Sequence, residues 1–268
     1  MHDLTVVIKG AGEMATGIAH RLYRSGITRI VMTEAVDPIA VRRGVAFSEA
    51  VYEGAKEVEG VTARRIATVG ELPGLWAAGE IGVIVDPEWR VVRDVGPDVV
   101  VDAIMLKRYT GTKKDEAELV IGVGPGFTAP EDVHVVIESN RGHDLGRLFY
   151  KGSAEPFTGM PGSTDGFRTE RVLRAPHDGT VRHVKKLGDT VHIGEEVLYV
   201  GDTPVRAAID GIVRGLIREI SVPANEKVGD IDPRARESHC YTISEKARAI
   251  GGGVLEAVLH HFNQAGRD

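Results

Sequence analysis

The chain has 268 residues, 42% hydrophobic and 27% charged, which is enough for two or three compact units, each with its own core. Its formal net charge is −6, with Lys and Arg scattered rather than gathered in a stripe, and this argues against nucleic acid as a main partner. The single cysteine, Cys240, excludes an internal disulfide, and the absence of a long apolar run or a charged leader makes a cytoplasmic, non-membrane location the expectation.

Leu4 to Lys9 reads as an apolar strand that enters Gly10-Ala11-Gly12 and leaves as an amphipathic helix over Glu13 to Ser25, stopped at Gly26. Gly10, Gly12 and Ala15 match the G-x-G-x-x-A spacing of a dinucleotide-type turn. The first glycine permits the turn, the second admits a ligand close to the backbone, and the small third residue lets helix and strand pack. The backbone over Gly10, Ala11, Gly12, Glu13, Met14 and Ala15 is therefore expected to face a phosphate or another anion. Thr28 to Thr33 is the next strand. It ends at Glu34, which is placed either to accept from a ribose hydroxyl or to act as an ordinary capping carboxylate.

Beyond Glu34 the pattern blurs through Arg42-Arg43 and Val45 to Phe47. Glu71 to Ala78 reads as a helix, Ile81 to Val85 as a buried strand ending at Asp86, and Val99 to Val101 as another ending at Asp102. Ligands of open parallel sheets bind at the carboxyl ends of the strands, so Glu34, Asp86 and Asp102, with Lys107 just beyond, are candidates for the polar rim of a cleft. Acids at strand ends also cap following helices. Asp102 is the strongest of the three, because its apolar surroundings make an unpaired carboxylate costly.

Leu119 to Val123, Val133 to Ser139 and Leu145 to Tyr150 read as further strands, with a sharp turn at Gly124-Pro125-Gly126. Between the last two strands lies the polar loop Asn140-Arg141-Gly142-His143-Asp144-Leu145-Gly146-Arg147. Asn140, Arg141, His143 and Arg147 are candidates for anion binding there. His134, Glu138 and His143 have no ligand spacing that points to a metal, and no metal site is expected.

Gly152 to Arg168 is rich in Gly, Ser, Thr and Pro, which puts a boundary near residue 170. The segment Ala175 to Arg182 then repeats as Ala207 to Arg214 at an offset of 32, each copy bearing an Asp-Gly turn. Such a repeat points to a small two-halved barrel, and the segment resembles a biotinyl/lipoyl-type barrel-sandwich. The connecting hairpin Gly201-Asp202-Thr203-Pro204-Val205-Arg206 carries no lysine, so covalent attachment of such a group is not expected. Ile243 to Phe262 reads as a helix interrupted at Gly251-Gly252-Gly253, and Cys240 as a small buried hydrophobe. The expected layout is α/β: a Rossmann-like parallel sheet over 1–125, a β-rich connection over 126–170, the barrel-sandwich over 171–235 and a helical tail over 236–268.

Four stretches together resemble the YqeB family of selenium-dependent molybdenum hydroxylase system proteins. They are Ile8 to Gly17, Gly122 to Phe127, Asn140 to Arg147 and Gly229 to Arg234. The N-terminal portion is similar to the Rossmann domain of XdhC-type accessory proteins. The resemblance implies a role in maturing a client molybdenum hydroxylase, with molybdopterin or NAD(P) at the glycine turn and homo-oligomer formation as an option. An NAD(P)-dependent oxidoreductase and a non-catalytic binding module are the alternatives.

Overall fold

Strand-forming runs of Val and Ile build the centre of the molecule. The structure is a computed structural model that describes residues 3–264. It falls into two units, one formed by Met1–Pro38, Ala46–Phe157 and Ile243–Asp268, the other by Ile39–Val45 and Thr158–Thr242.

The first unit holds a sheet of nine strands: β1 (Thr5–Lys9), β2 (Arg29–Glu34), β3 (Ala55–Val58), β4 (Val61–Ile66), β5 (Ile81–Val85), β6 (Val99–Asp102), β7 (Leu119–Val123), β8 (Val135–Ile137) and β9 (Leu148–Phe149). Their order is β3-β4-β5-β2-β1-β6-β7-β8-β9. The seven inner strands run parallel, while β3 pairs antiparallel with β4 and β9 with β8. β1, β2, β6 and β7 are buried along most of their length, as expected for parallel strands covered on both faces. The covering helices are α1 (Glu13–Arg24), α2 (Ala50–Glu53), α3 (Leu72–Ala77) and α4 (Arg90–Val95). Leu72, Leu75 and Val91 from α3 and α4 join Val7, Val31, Val100 and Val120 of the sheet in one apolar layer.

The last helix of this unit, α6, spans Glu245–Gln264 without a break. Its glycines do not interrupt it. They let α6 lie directly on α1: a Cβ on Gly251 would stand 2.8 Å from the Gly17 carbonyl oxygen. Close backbone approach of this kind compensates for the low helix propensity of glycine.

The second unit contains β10 (Val172–Arg174), β11 (Gly179–His183), β12 (Thr190–Val191), β13 (Glu196–Val200), β14 (Thr203–Arg206), β15 (Gly211–Leu216), β16 (Ser221–Val222) and β17 (Lys227–Asp232), followed by the short helix α5 (Ser238–Tyr241). They form two four-stranded sheets, β10-β17-β15-β12 and β14-β13-β11-β16. Every pairing is antiparallel. Leu173, Val181, Val197, Val200, Val213 and Ile231 meet in its core. The strands that open at the two repeated Asp-Gly turns, β11 and β15, are inner strands of different sheets.

The expected Rossmann-like parallel sheet followed by a barrel-sandwich and a separate helical tail is thus corrected. The main sheet is a mixed sheet of nine strands with antiparallel edges, the second unit is a pair of four-stranded antiparallel sheets, and the tail helix packs within the first unit. The physical reason is that β3 and β9 are short edge strands and that β4, next to β3, is half polar. Lys56, Glu57, Arg64, Arg65 and similar polar residues obscure the apolar alternation on which a strand assignment rests.

Candidate functional site

β1 and β6 are neighbours at the centre of the sheet, with Lys9 and Asp102 in register at their carboxyl ends. Both side chains are fully buried. Lys9 Nζ donates to Thr112 Oγ1 at 2.7 Å, pairs with Glu116 Oε2 at 2.6 Å and stands 4.2 Å over the Trp89 ring. Asp102 Oδ2 accepts from Thr110 Oγ1 at 2.6 Å and from Thr112 Oγ1 at 2.7 Å, and Oδ1 accepts from the Ile104 amide at 3.2 Å. A buried charge persists only when it is paired and hydrogen-bonded, and this network supplies the partners. It also ties the chain after β6 down onto the strand ends.

The tied-down segment, residues 103–111, is shaped by two glycines. Gly10 (φ +92°) lies against it, since a Cβ there would stand 3.2 Å from Ile104 Cα, and on Gly126 (φ +116°) one would stand 2.5 Å from the Arg108 carbonyl carbon. Within the segment Met105 (φ 65°) and Lys107 (φ 62°) adopt the left-handed conformation. For residues with a Cβ this costs about 1–2 kcal/mol each, and strain of this kind gathers at functional sites.

Lys107 is half-buried. Among the described residues no hydrogen bond or ion pair engages its ammonium. Burial, and then the charge of Lys246, pull it down to about 8. Lys246, in the first turn of α6, is lowered by burial and by Arg141, against the opposing pull of Glu13, Glu138 and Glu245. It too makes no hydrogen bond or ion pair among the described residues. Glu13 Oε1, at the start of α1, is buried without a hydrogen-bond partner. Three polar groups with unmet demands are therefore linked electrostatically, Lys107 to Lys246 and Lys246 to Glu13. Buried polar groups are normally satisfied, and exceptions require an explanation.

The other residues singled out from the sequence have internal partners. The Gly10 amide donates to the Thr33 carbonyl at 3.0 Å. Glu34 takes the Ala11 amide at Oε1 and the Ala35 amide at Oε2, both at 2.9 Å. Burial raises the Glu34 carboxyl despite those two bonds. Gly12 caps α1, Met14 is half-buried, and Ala15 is fully buried. Asp86 accepts from the Val91 amide at 2.8 Å and so caps α4. Asn140 donates its amide to Glu138 at 2.6 Å, and its side chain reaches Glu155. Arg141 pairs with Glu245 at 2.6 Å. Arg147 pairs with Asp144 at 2.9 Å, and His143 is exposed. Of the expected set, Glu13 and Arg141 act on Lys246, as Glu138 does, and Lys246 in turn acts on Lys107. Lys246 carries no local signal, because nothing in Ser244-Glu245-Lys246 separates it from an ordinary exposed helix start.

Cys240 is fully buried in the second unit, its thiol 3.7 Å from the Val213 carbonyl and pushed up by burial. Beside it Asp232 pairs with Arg234 at 2.6 Å. Burial alone would raise the Asp232 carboxyl, but Arg234 and Arg214 outweigh it and bring it to about 2. Among the described residues no group of three His, Cys, Asp or Glu side chains is placed to hold a metal ion, and no helix is long and apolar enough to cross a membrane.

No family model matches the chain. It is 46% identical over 264 residues, 98% of its length, to "Uncharacterized protein YqeB" of Escherichia coli, and it spans about half (48%) of that relative. Among solved structures, TcdA (CsdL) superposes with a TM-score of 0.39 at 12% identity, covering 100% of this chain and 89% of that one. An aspartoacylase family protein from Mesorhizobium loti gives 0.29 at 12% identity, with 85% and 84% covered. The ectoine utilization protein EutE (DoeB) from Ruegeria pomeroyi gives 0.27 at 11% identity, also with 85% and 84% covered. Likenesses this distant carry no argument about activity.

These findings correct the expected role in molybdenum hydroxylase maturation. The glycine turn does not fit the phosphate-bearing cofactor that role requires. The Ala11 amide, which a phosphate would need, is already held by the internal carboxylate of Glu34. Molybdopterin and NAD(P) are accordingly not assigned to the turn. What the identity along nearly the whole chain does show is similarity to the Escherichia coli YqeB protein, about half of whose length this chain spans.

Proposed function

We propose that the carboxyl edge of the nine-stranded sheet binds a small molecule carrying one carboxylate. The observation that carries this reading is the pair of half-buried ammonium groups, Lys107 and Lys246, without hydrogen-bond or ion-pair partners among the described residues. Burial lowers both, and the charge of Lys246 lowers Lys107 further. A bound carboxylate relieves both penalties at once, by neutralising the repulsion and filling the empty hydrogen-bond positions. Glu13 sets the charge of the ligand. Its buried carboxylate oxygen disfavours a doubly charged anion and offers an acceptor to a hydroxyl, amine or other donor next to the carboxylate. The strand ends supply the usual location for such a site in an open α/β sheet.

The test is calorimetric titration and thermal protection of the wild-type chain, Lys246→Met and Lys107→Arg with a panel of monocarboxylates bearing a neighbouring hydroxyl, amino or carbonyl group. Saturable protection that weakens about tenfold or more in Lys246→Met is expected, because a charged hydrogen bond is worth about 1.5–3 kcal/mol. Absence of saturable binding, or equal binding by wild type and Lys246→Met, overturns the proposal.

A further inference from the structure

Val120, in β7, has both of its backbone polar groups held by one residue. His134, which precedes β8, donates its amide to the Val120 carbonyl at 2.9 Å and takes the Val120 amide on ring Nδ1, also at 2.9 Å. Val120 is fully buried, and the regular β7–β8 pairing begins just beyond, at Ile121 and Val135. The imidazole thus stands in for a ladder acceptor where the two strands come together. We infer that His134 is an acid-sensitive latch, whose neutral ring pins the start of β8 to β7 and whose protonation lets it go.

A ring nitrogen accepts only with a bare lone pair, and an imidazolium carries hydrogen on both nitrogens. Protonation therefore turns Nδ1 into a donor facing the Val120 N–H, so the ring must swing away and leave that buried donor without a partner. The surroundings offer the cation no relief. Burial pushes the His134 ring down from the usual histidine value, and Lys114 from the turn before β7 and His261 from α6 push it further. The two histidine rings lie 6.5 Å apart between centroids, and the carboxylate of Glu118 is already engaged by His261 at 3.2 Å. Release accordingly comes below about pH 6.5, as the ring is titrated toward its lowered native value. β8 leads to Glu138 and the 140–147 loop, which seats α6. Arg141 pairs there with Glu245 at 2.6 Å, and a Cβ on Gly146 would stand 2.7 Å from the Ala249 carbonyl oxygen. Freeing β8 consequently loosens α6. The latch does not depend on the carboxylate reading, although the helix it seats carries Lys246.

The experiment is nuclear magnetic resonance on the isotope-labelled full chain from about pH 8 to about pH 5, following imidazole nitrogens and amide exchange together. At neutral pH His134 is expected as the Nε2–H tautomer, with Nδ1 bare. Across its titration the Val120 protection factor is expected to fall about tenfold, the size of one lost hydrogen bond, while Val7 and Ile8 at the sheet centre keep theirs. His134→Asn places an oxygen where Nδ1 stands and takes up no proton, so it keeps Val120 protected at both ends of the range. His134→Leu has no acceptor and loses protection at both. An Nδ1–H tautomer at neutral pH overturns the latch. So does Val120 protection that ignores the ring's titration, a His134→Asn profile equal to that of the wild type, or a fall shared equally by Val7 and Ile8, which is global acid unfolding. Tautomer and titration are read on the wild-type chain, and they decide the matter even if a variant fails to fold.

Discussion

Thr112 Oγ1 joins Lys9 to Asp102, accepting from the lysine at 2.7 Å and donating to the carboxylate at 2.7 Å. The two charged residues lie in register on adjacent strands at the sheet centre, yet it is a hydroxyl from the following segment that joins them. The segment bearing Lys107 is consequently fastened at one end to a fully buried polar pair of the unit.

Thr112→Val keeps the shape of the side chain and removes the bridge. Lys9 then loses one acceptor and Asp102 one donor inside the core, and an unsatisfied buried group costs about 1–3 kcal/mol. Urea unfolding is expected to show a loss in that range. Thermal protection by carboxylates is expected to weaken with it, since the Lys107 segment loses its anchor. A variant as stable as the wild type means that another donor or water replaces the hydroxyl, and that the network is not the anchor described above.

The Lys107 amine makes stability depend on pH in a defined direction. In the native state it titrates at about 8, lowered by burial and by Lys246, against about 10.4 for an unfolded lysine. Between those values the unfolded chain binds the extra proton, so stability rises with pH from about 8 to about 10.4 and is flat below that window with respect to this group. Lys246 acts in the same sense, its downward shift from burial and Arg141 being opposed by Glu13, Glu138 and Glu245. Denaturant midpoints measured across the window are expected to climb in the wild type and to climb less in Lys107→Met. Identical profiles rule out the lowered amine. Binding of a carboxylate near pH 8 is expected to take up protons, which titrations in buffers of different ionisation enthalpy detect.

Gly17 and Ala247 set the contact between α1 and α6. A Cβ on Gly17 would stand 2.7 Å from the Ala247 Cβ and 2.9 Å from the Ala247 carbonyl oxygen. In an isolated helix Gly→Ala is favourable by about 0.5–1 kcal/mol. Here Gly17→Ala is expected to lower stability by about 1–3 kcal/mol, as overpacking does, and to weaken carboxylate binding because Lys246 is next to Ala247. Gly252→Ala, inside α6, is the control, since open space surrounds its Cβ position. Thermal melts in which Gly17→Ala gains stability like an ordinary helical substitution contradict the close contact.

Local pattern alone was sufficient for β1, α1, β2, β5, β6, β7 and most of α6. Their signals are period-based, and every residue that carries them lies within one turn or one strand of the next. The turn at Gly10 was legible for the same reason, but not its partner: the Ala11 amide meets Glu34, a strand away, so the carboxylate that suggested a ribose contact proves to be the turn's own anion. Strands β3 and β4 were hidden because their polar residues carry little alternation. Lys246 was hidden because its meaning depends on Lys107, far off in the chain. The sequence by itself determined where buried strands begin and end, through hydrophobic periodicity. Only the tertiary structure decided which charges meet at the strand ends, because burial and the sharing of partners are properties of the packed chain and not of any segment of it.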